Sequence, residues 1–280
     1  MPKKRKPKTD LVVVLGDTHV NSTVGLIPPE ITFDDGSTRQ SGPEQRWLWE
    51  QYQDLLKHIE KQKRRHSARV VVVFNGDGPD RNKYSGGYDL ITLSRAEIVR
   101  FTYETLIPLR RLADVFITNR GTPAHEGGTG ELAELVAQRL DAHKHPDRDT
   151  FSWWNVEAEI GGVLFYCGHR PRSTSYYEHT RGNGAKRMAH DLWDAYHRMG
   201  DRCPDVFCFS HIHHWEDANH LREVRVVYCP PWKLCDSWGH SMGFTPKTEP
   251  VGAWLFTVRD GEYRDELWLR QPPRAKVQTL

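Results

Sequence analysis

The sequence predicts an α/β fold, and three observations carry that prediction. Short β-branched runs recur along the chain, amphipathic helical stretches lie between them, and the runs stop at Gly, Asp, Asn or His. Residues 11–15 (LVVVL) stop at Gly16-Asp17, and residues 70–74 (VVVVF) stop at Asn75-Gly76-Asp77. Residues 115–118 lead to Asn119-Arg120-Gly121, residues 163–166 to Cys167-Gly168-His169, and residues 206–209 to Ser210-His211. Continuous apolar runs of this length are the pattern of strands buried on both faces.

The stretches between them have helical spacing. Residues 44–66 follow Pro43 and place Leu48, Tyr52, Leu55 and Ile59 on one face. Residues 94–112 begin with Ser94 and have Glu97 three positions on, a capping-box pattern, with Pro108 expected to end or kink the helix. Residues 131–142 and 185–199 complete the set, and strand–helix alternation gives the α/β class. The later chain reads as antiparallel. Gly161-Gly162 joins residues 156–160 to 163–166, and residues 259–261 join 253–258 to 262–269. Segments 22–43 and 230–252 read as long loops. With no internal repeat and no dividing linker, a single domain over 10–280 is expected, preceded by a disordered basic tail at 1–9.

Charge is nearly balanced over the 280 residues, with 39 Lys or Arg against 37 Asp or Glu. Five of the basic residues (Lys3, Lys4, Arg5, Lys6, Lys8) lie in the tail; the other 34 face 37 acids, leaving the body at net −3. A chain-wide nucleic-acid coat is excluded, and the tail is read as a phosphate-binding arm, a nuclear-import signal or a solvated terminus. No apolar run reaches the roughly 18–20 residues of a membrane span. Five cysteines without CxxC spacing suggest neither a disulfide framework nor a thiolate zinc site, so a reducing cytoplasm is expected.

The chemistry-bearing residues sit where the strands end. Asp17-Thr18-His19 follows the first strand, Asp77 the second, His169 the fourth, and His211-Ile212-His213 the fifth. Ligands in open α/β sheets gather beyond the carboxyl ends of strands. Two carboxylates and four imidazoles converging there suit one or two divalent metals of the Zn²⁺, Mn²⁺ or Fe type.

GDTH, NGDGPD, CGH and SHIHH in this order resemble the calcineurin-like metallophosphoesterase superfamily, over residues 16–214. The resemblance implies a four-layer, two-sheet β-sandwich flanked by helices, carrying a dinuclear centre. It implies that Asp17, His19 and His213 hold one metal, that His169 and His211 hold the second, and that Asp77 bridges them. Asp80 would orient a neighbour. Mn²⁺ is the first expectation for both ions, with Zn²⁺, Fe or Ni²⁺ as alternatives. One motif departs from the family's Gly-Asn-His: the chain reads Asn119-Arg120-Gly121-Thr122-Pro123-Ala124-His125, similar to phage and prophage metallophosphoesterase-like proteins with an RGT-x-x-H loop. Asn119 is taken as the second metal's amide ligand, with Thr122 or a water as alternatives. His125 is taken as the catalytic acid, with ligation as its alternative.

The reaction implied is attack of a metal-bridging hydroxide on phosphorus, with His125 protonating the leaving oxygen. Arg120 and Arg170, with Arg172 beside them, are expected to clamp phosphate. Loop aromatics (Trp215, Trp232, Trp238, Tyr176, Tyr177) are expected to stack on nucleobases, favouring a nucleotide, DNA or RNA phosphodiester. A phosphomonoesterase or protein phosphatase is the alternative, and a non-catalytic protein-binding module the third reading. A phage or bacterial host cell is the expected setting, with no membrane partner.

Overall fold

The computed structural model describes residues 9–82, 87–172, 174, 178–218, 224–241 and 249–273. The basic tail, apart from Thr9, lies outside the described residues, as do Tyr176, Tyr177 and the side chain of Trp238.

β-branched side chains are stiff at χ1 and favour extended backbone, and all five β-branched runs form strands. In chain order the elements begin β1 (Asp10–Leu15), β2 (Glu30–Thr32), β3 (Thr38–Gln40), α1 (Pro43–His66), β4 (Arg69–Asn75), α2 (Arg95–Leu112) and β5 (Val115–Asn119). They continue with α3 (Pro123–Glu126), α4 (Glu131–Arg139), β6 (Ser152–Trp153), β7 (Asn155–Ile160), β8 (Val163–Gly168), α5 (Asn183–Met199) and β9 (Val206–Phe209). The chain closes with β10 (Glu216–Ala218), β11 (Arg225–Tyr228), α6 (Ser237–Ser241), β12 (Val251–Arg259) and β13 (Glu262–Arg270).

Two sheets stack face to face. The first runs β13-β12-β1-β4-β5-β6 and the second β10-β11-β9-β8-β7. Within the first, β1, β4, β5 and β6 are parallel; within the second, β8, β9 and β11 are parallel. Side chains alternate across a strand, and β1 divides accordingly. Leu11, Val13 and Leu15 pack with Leu48, Tyr52, Leu55, Leu106 and Leu109 of the helical layer. Val12 and Val14 pack against Phe165, Val206 and Val227 of the second sheet. On that sheet's far face, Phe207, Phe209 and Tyr228 receive Ala185, Met188 and Ala189 of α5. The result is the four-layer helix–sheet–sheet–helix sandwich.

Some elements differ from expectation. Helix α2 passes through Pro108 and continues to Leu112. A proline inside a helix costs about 3 kcal/mol, and burying Leu106 and Leu109, each roughly 1.5–3 kcal/mol, offsets it. Helix α4 stops at Arg139 instead of 142, where Asp141 turns to φ +49°. The loop 22–43 contains the β2–β3 hairpin, and β11 (RVVY) was too short a run to stand out. Both expected two-strand turns are present; Gly161-Gly162 and Asp260-Gly261 have the paired positive φ of a tight hairpin. Among the described residues, no helix is long and apolar enough to cross a membrane.

Candidate metal centre

The parallel strands place five loops at one end of the sandwich. Asn75, the last residue of β4, ties the two sheets together there. Its amide donates to Gly168 O at 3.0 Å and to Ser210 Oγ at 3.1 Å, while its carbonyl accepts from His169 Nδ1 at 2.7 Å. The loops after β1 and β4 run side by side, with Asp17 N donating to Gly76 O, His19 N to Asp77 O and Val20 N to Gly78 O, at 2.8–3.0 Å. Their motifs therefore hold a common register.

The convergence has a backbone cause. Residues 16–19 are not extended: Asp17, His19, Asp77, His211 and His213 all have positive φ, between 43° and 74°. Left-handed backbone in residues other than glycine costs of order 1–3 kcal/mol each and gathers at functional sites. Five of the nine such residues described are these candidates, so the strain is concentrated where ligation is expected. Gly121 is required for a different reason. A Cβ there would lie 2.1 Å from Asp77 Oδ1 and 2.2 Å from Asp77 N, so only glycine lets this loop approach.

The side chains form three overlapping groups, Asp17–His19–His213, Asp77–His169–His211 and His19–Asp77–His125, with the donor atoms of each within 4.8 Å of one another. His19 Nε2 lies 3.0 Å from His213 Nε2, 3.9 Å from Asp17 Oδ1 and 4.0 Å from Asp77 Oδ2. His169 Nε2 lies 3.1 Å from Asp77 Oδ2. Two divalent ions fit this donor set on hydrogen-bonding grounds. His19 gives its Nδ1 hydrogen to Asp80 and His169 gives its own to Asn75 O, so in each ring Nε2 is the nitrogen that faces inward. The buried His169 Nε2 faces the Asp77 carboxylate. Imidazoles anchored through the second nitrogen are the usual arrangement for metal ligands.

His125 stands beside this nest on α3, its Nδ1 2.7 Å from Asp80 Oδ1 and its ring edge-on to His19 at 4.4 Å. Asp80 thus contacts both imidazoles, one with each carboxylate oxygen. Asn119 gives its amide hydrogens to Asn75 Oδ1 and Cys167 O, and its buried Oδ1 has no partner. Thr122 donates to Asp77 from both its backbone N (2.6 Å) and its Oγ1 (3.1 Å).

Other expected site residues are elsewhere. Arg120 turns toward α4: it donates to Ser152 Oγ and Thr129 O, faces Glu134 and stacks over Trp154. Arg120 thus braces the start of its loop against α4 and β6. Arg170 is exposed, and its charge contributes to depressing the His211 imidazole. Trp232 is a core residue, stacked on Trp268 and edge-on to Tyr52, and its Nε1 donates to Gly252 O. It offers no face to a base. Trp215 is half-buried under Arg181.

Glu126 is a site residue that the sequence did not reveal. Its buried carboxylate accepts from Gly78 N and Gly121 N, fastening the loop of Asp77 to that of Thr122. Burial, then the charge of Asp77, pushes its pKa up to about 8. A lone Glu after His125 has no spacing signature, so only the fold reveals it.

Protonation of the nest sets a pH dependence. Burial lowers His19 and His211 to about 4, leaving both neutral and ready to ligate. Burial pushes Asp17 up to about 7. At His169 burial opposes the charge, but Asp77 outweighs it and raises the imidazole to about 10. A cation must displace these protons, so affinity for divalent metal rises with pH. The expected result is release of about one proton per chain at pH 8, from His169, and more at pH 6, where Asp17 is also protonated. Calorimetric titration with Mn²⁺ in buffers of different ionisation enthalpy measures this directly. An enthalpy independent of buffer would contradict it.

Comparison with known proteins adds little at the level of sequence: no family model and no curated protein matches the chain. Several solved structures show a weak likeness to the chain. A Vps29 single mutant from Entamoeba histolytica is 13% identical with a TM-score of 0.41, covering 93% of this chain and 99% of its own. A conserved protein from Streptococcus pneumoniae, described as a predicted phosphoesterase, is 10% identical with a TM-score of 0.39, covering 94% and 91%. The sulfate thiohydrolase SoxB from Thermus thermophilus is 12% identical with a TM-score of 0.43, covering 95% of this chain and 57% of its own.

Proposed function

We propose that this chain is a metal-dependent phosphoester hydrolase with a dinuclear centre, acting on phosphodiesters of the nucleotide or nucleic-acid class. The observation that carries the reading is the set of six strand-end side chains (Asp17, His19, Asp77, His169, His211, His213), five of them on left-handed backbone, with the buried His169 Nε2 facing Asp77. Asp17, His19 and His213 would hold one ion, His169 and His211 the other, with Asp77 between. Asn119 Oδ1, buried without a partner, would supply the neutral oxygen for the second ion, with Thr122 Oγ1 as the competing donor. When bound, the two cations lower the pKa of a water shared between them and neutralise phosphoryl oxygens.

The remaining steps belong to the chain's own residues. Asp80 fixes the His125 ring through Nδ1, leaving Nε2 to face a leaving oxygen. Burial disfavours the charged ring, but the hydrogen bond and charge of Asp80 outweigh it and raise the His125 pKa, so the ring keeps a proton to give near neutral pH. This ordered acid argues against a module that merely binds. Of the arginines expected to clamp phosphate, Arg120 turns away, while Arg170 and Arg172 are both exposed and free to meet a phosphoryl group.

The test is parallel assay of the Mn²⁺-loaded protein on bis-p-nitrophenyl phosphate, p-nitrophenyl phosphate and single-stranded DNA. Faster turnover of the diesters is expected. Absence of Mn²⁺-stimulated hydrolysis of any diester rejects the diesterase reading, and turnover of the monoester alone moves the chain to the phosphomonoesterases.

A further inference from the structure

The loop after β11 carries a cation that the reaction as described does not use. The Lys233 side chain is 5% exposed, and an ammonium ion is costly to bury unless paired. Two carboxylates pair with it: Nζ donates to Asp236 Oδ2 at 2.6 Å and stands 3.7 Å from Asp80 Oδ2. The surrounding backbone holds it in place. Trp232 N donates to Asp17 O and Leu234 N to Val24 O, both at 3.0 Å, and Lys233 itself forms a bridge with Gly25. The lysine is thereby fixed relative to the Asp-x-His loop.

Its neighbour Asp80 has a divided task. Oδ1 accepts from His125 Nδ1 at 2.7 Å and from Asn82 N at 2.8 Å, while Oδ2 meets His19 Nδ1 at 3.2 Å. Rotation of the carboxylate would weaken both imidazole contacts together. Lys233, on the Oδ2 side, opposes that rotation by attraction at short range in a buried setting.

We propose that Lys233 is a positioning residue for hydrolysis, holding Asp80 Oδ2 so that Oδ1 stays aimed at His125. The inference rests on the phosphoester reading and adds a residue that touches neither substrate nor metal. It predicts an effect that depends on the leaving group, because only a poor leaving oxygen needs a well-aimed proton.

The experiment compares wild type, Lys233→Met and Lys233→Arg on a dinucleotide, with its alkoxide leaving group, and on bis-p-nitrophenyl phosphate. For Lys233→Met the kcat ratio of the first to the second should fall about tenfold, the scale for outer-shell partners. KM should hold steady, and Lys233→Arg should restore most of the ratio. A second readout needs neither metal nor substrate. The hydrogen-bonded Nδ1–H proton resonances of His19 and His125 in the metal-free protein should exchange faster with solvent in Lys233→Met and recover in Lys233→Arg. If Lys233→Met does not fold, Asp236→Asn, which removes the lysine's nearer anchor, should shift both readouts the same way by less. Equal loss on both substrates, or an unchanged ratio with unchanged Nδ1–H signals, overturns the proposal and leaves the hydrolase reading standing. If wild type hydrolyses neither substrate, the hydrolase reading fails, and the resonances alone decide whether Lys233 holds the dyad.

Discussion

Asp77→Ala should leave the protein folded, without bound metal and without activity. Asp77 is buried, accepts two hydrogen bonds from Thr122 and places Oδ2 3.1 Å from His169 Nε2 and 4.0 Å from His19 Nε2. Among the described residues it is the only carboxylate common to the His169–His211 and His19–His125 groups. Without it, two dications would face each other with no anion between them. A single pair of unit charges at 4 Å repels by roughly 4 kcal/mol at an effective dielectric of 20, and two dications multiply that fourfold. Metal analysis should find almost none bound, and turnover should fall by well over the roughly 10²-fold that loss of an outer-shell partner causes. Asp77→Asn, which keeps an oxygen for Thr122, controls for folding. Two metals retained in either variant would remove Asp77 from the bridging role.

His125→Ala should behave in the opposite way, keeping the metals and losing the acid. General acid catalysis contributes about 10²–10⁴-fold, and that loss should appear with alkoxide leaving groups and shrink with p-nitrophenolate. Because Asp80 raises the His125 pKa, the wild-type rate on poor leaving groups should persist to higher pH than an ordinary imidazole allows, then fall as the ring loses its proton. His125→Ala should abolish that alkaline limb. His125 also belongs to one of the three potential ligand groups. Loss of a metal on His125→Ala would therefore make it a ligand and end its role as acid.

Strand-end positions were legible in the sequence because a buried parallel strand must be apolar and must stop abruptly. The stops at Asp17, Asp77, His169 and His211 are consequently visible as changes in composition. The fold then brings all six expected metal-binding Asp and His residues together. The manner of their convergence was hidden. It depends on left-handed kinks at Asp17, His19 and His213, which composition does not show. Arg120 illustrates a second limit. Its neighbours in sequence are site residues, but the direction of its side chain is set by Ser152, Glu134 and Trp154, all distant in the chain. Trp232 failed as a stacking residue for the same reason, since core and loop tryptophans look alike without tertiary contacts. Glu126 and Lys233 lay beyond sequence reasoning, because a buried charge is recognised only by the partners that surround it.

The central claim is that this strand-end nest holds two cations astride Asp77. Anomalous diffraction from crystals soaked in Mn²⁺ tests it most directly. The account predicts two peaks flanking the Asp77 carboxylate, one against Asp17, His19 and His213 and the other against His169 and His211, with Asn119 or Thr122 completing the second. No peak at millimolar Mn²⁺, or peaks confined to other parts of the protein, would contradict it.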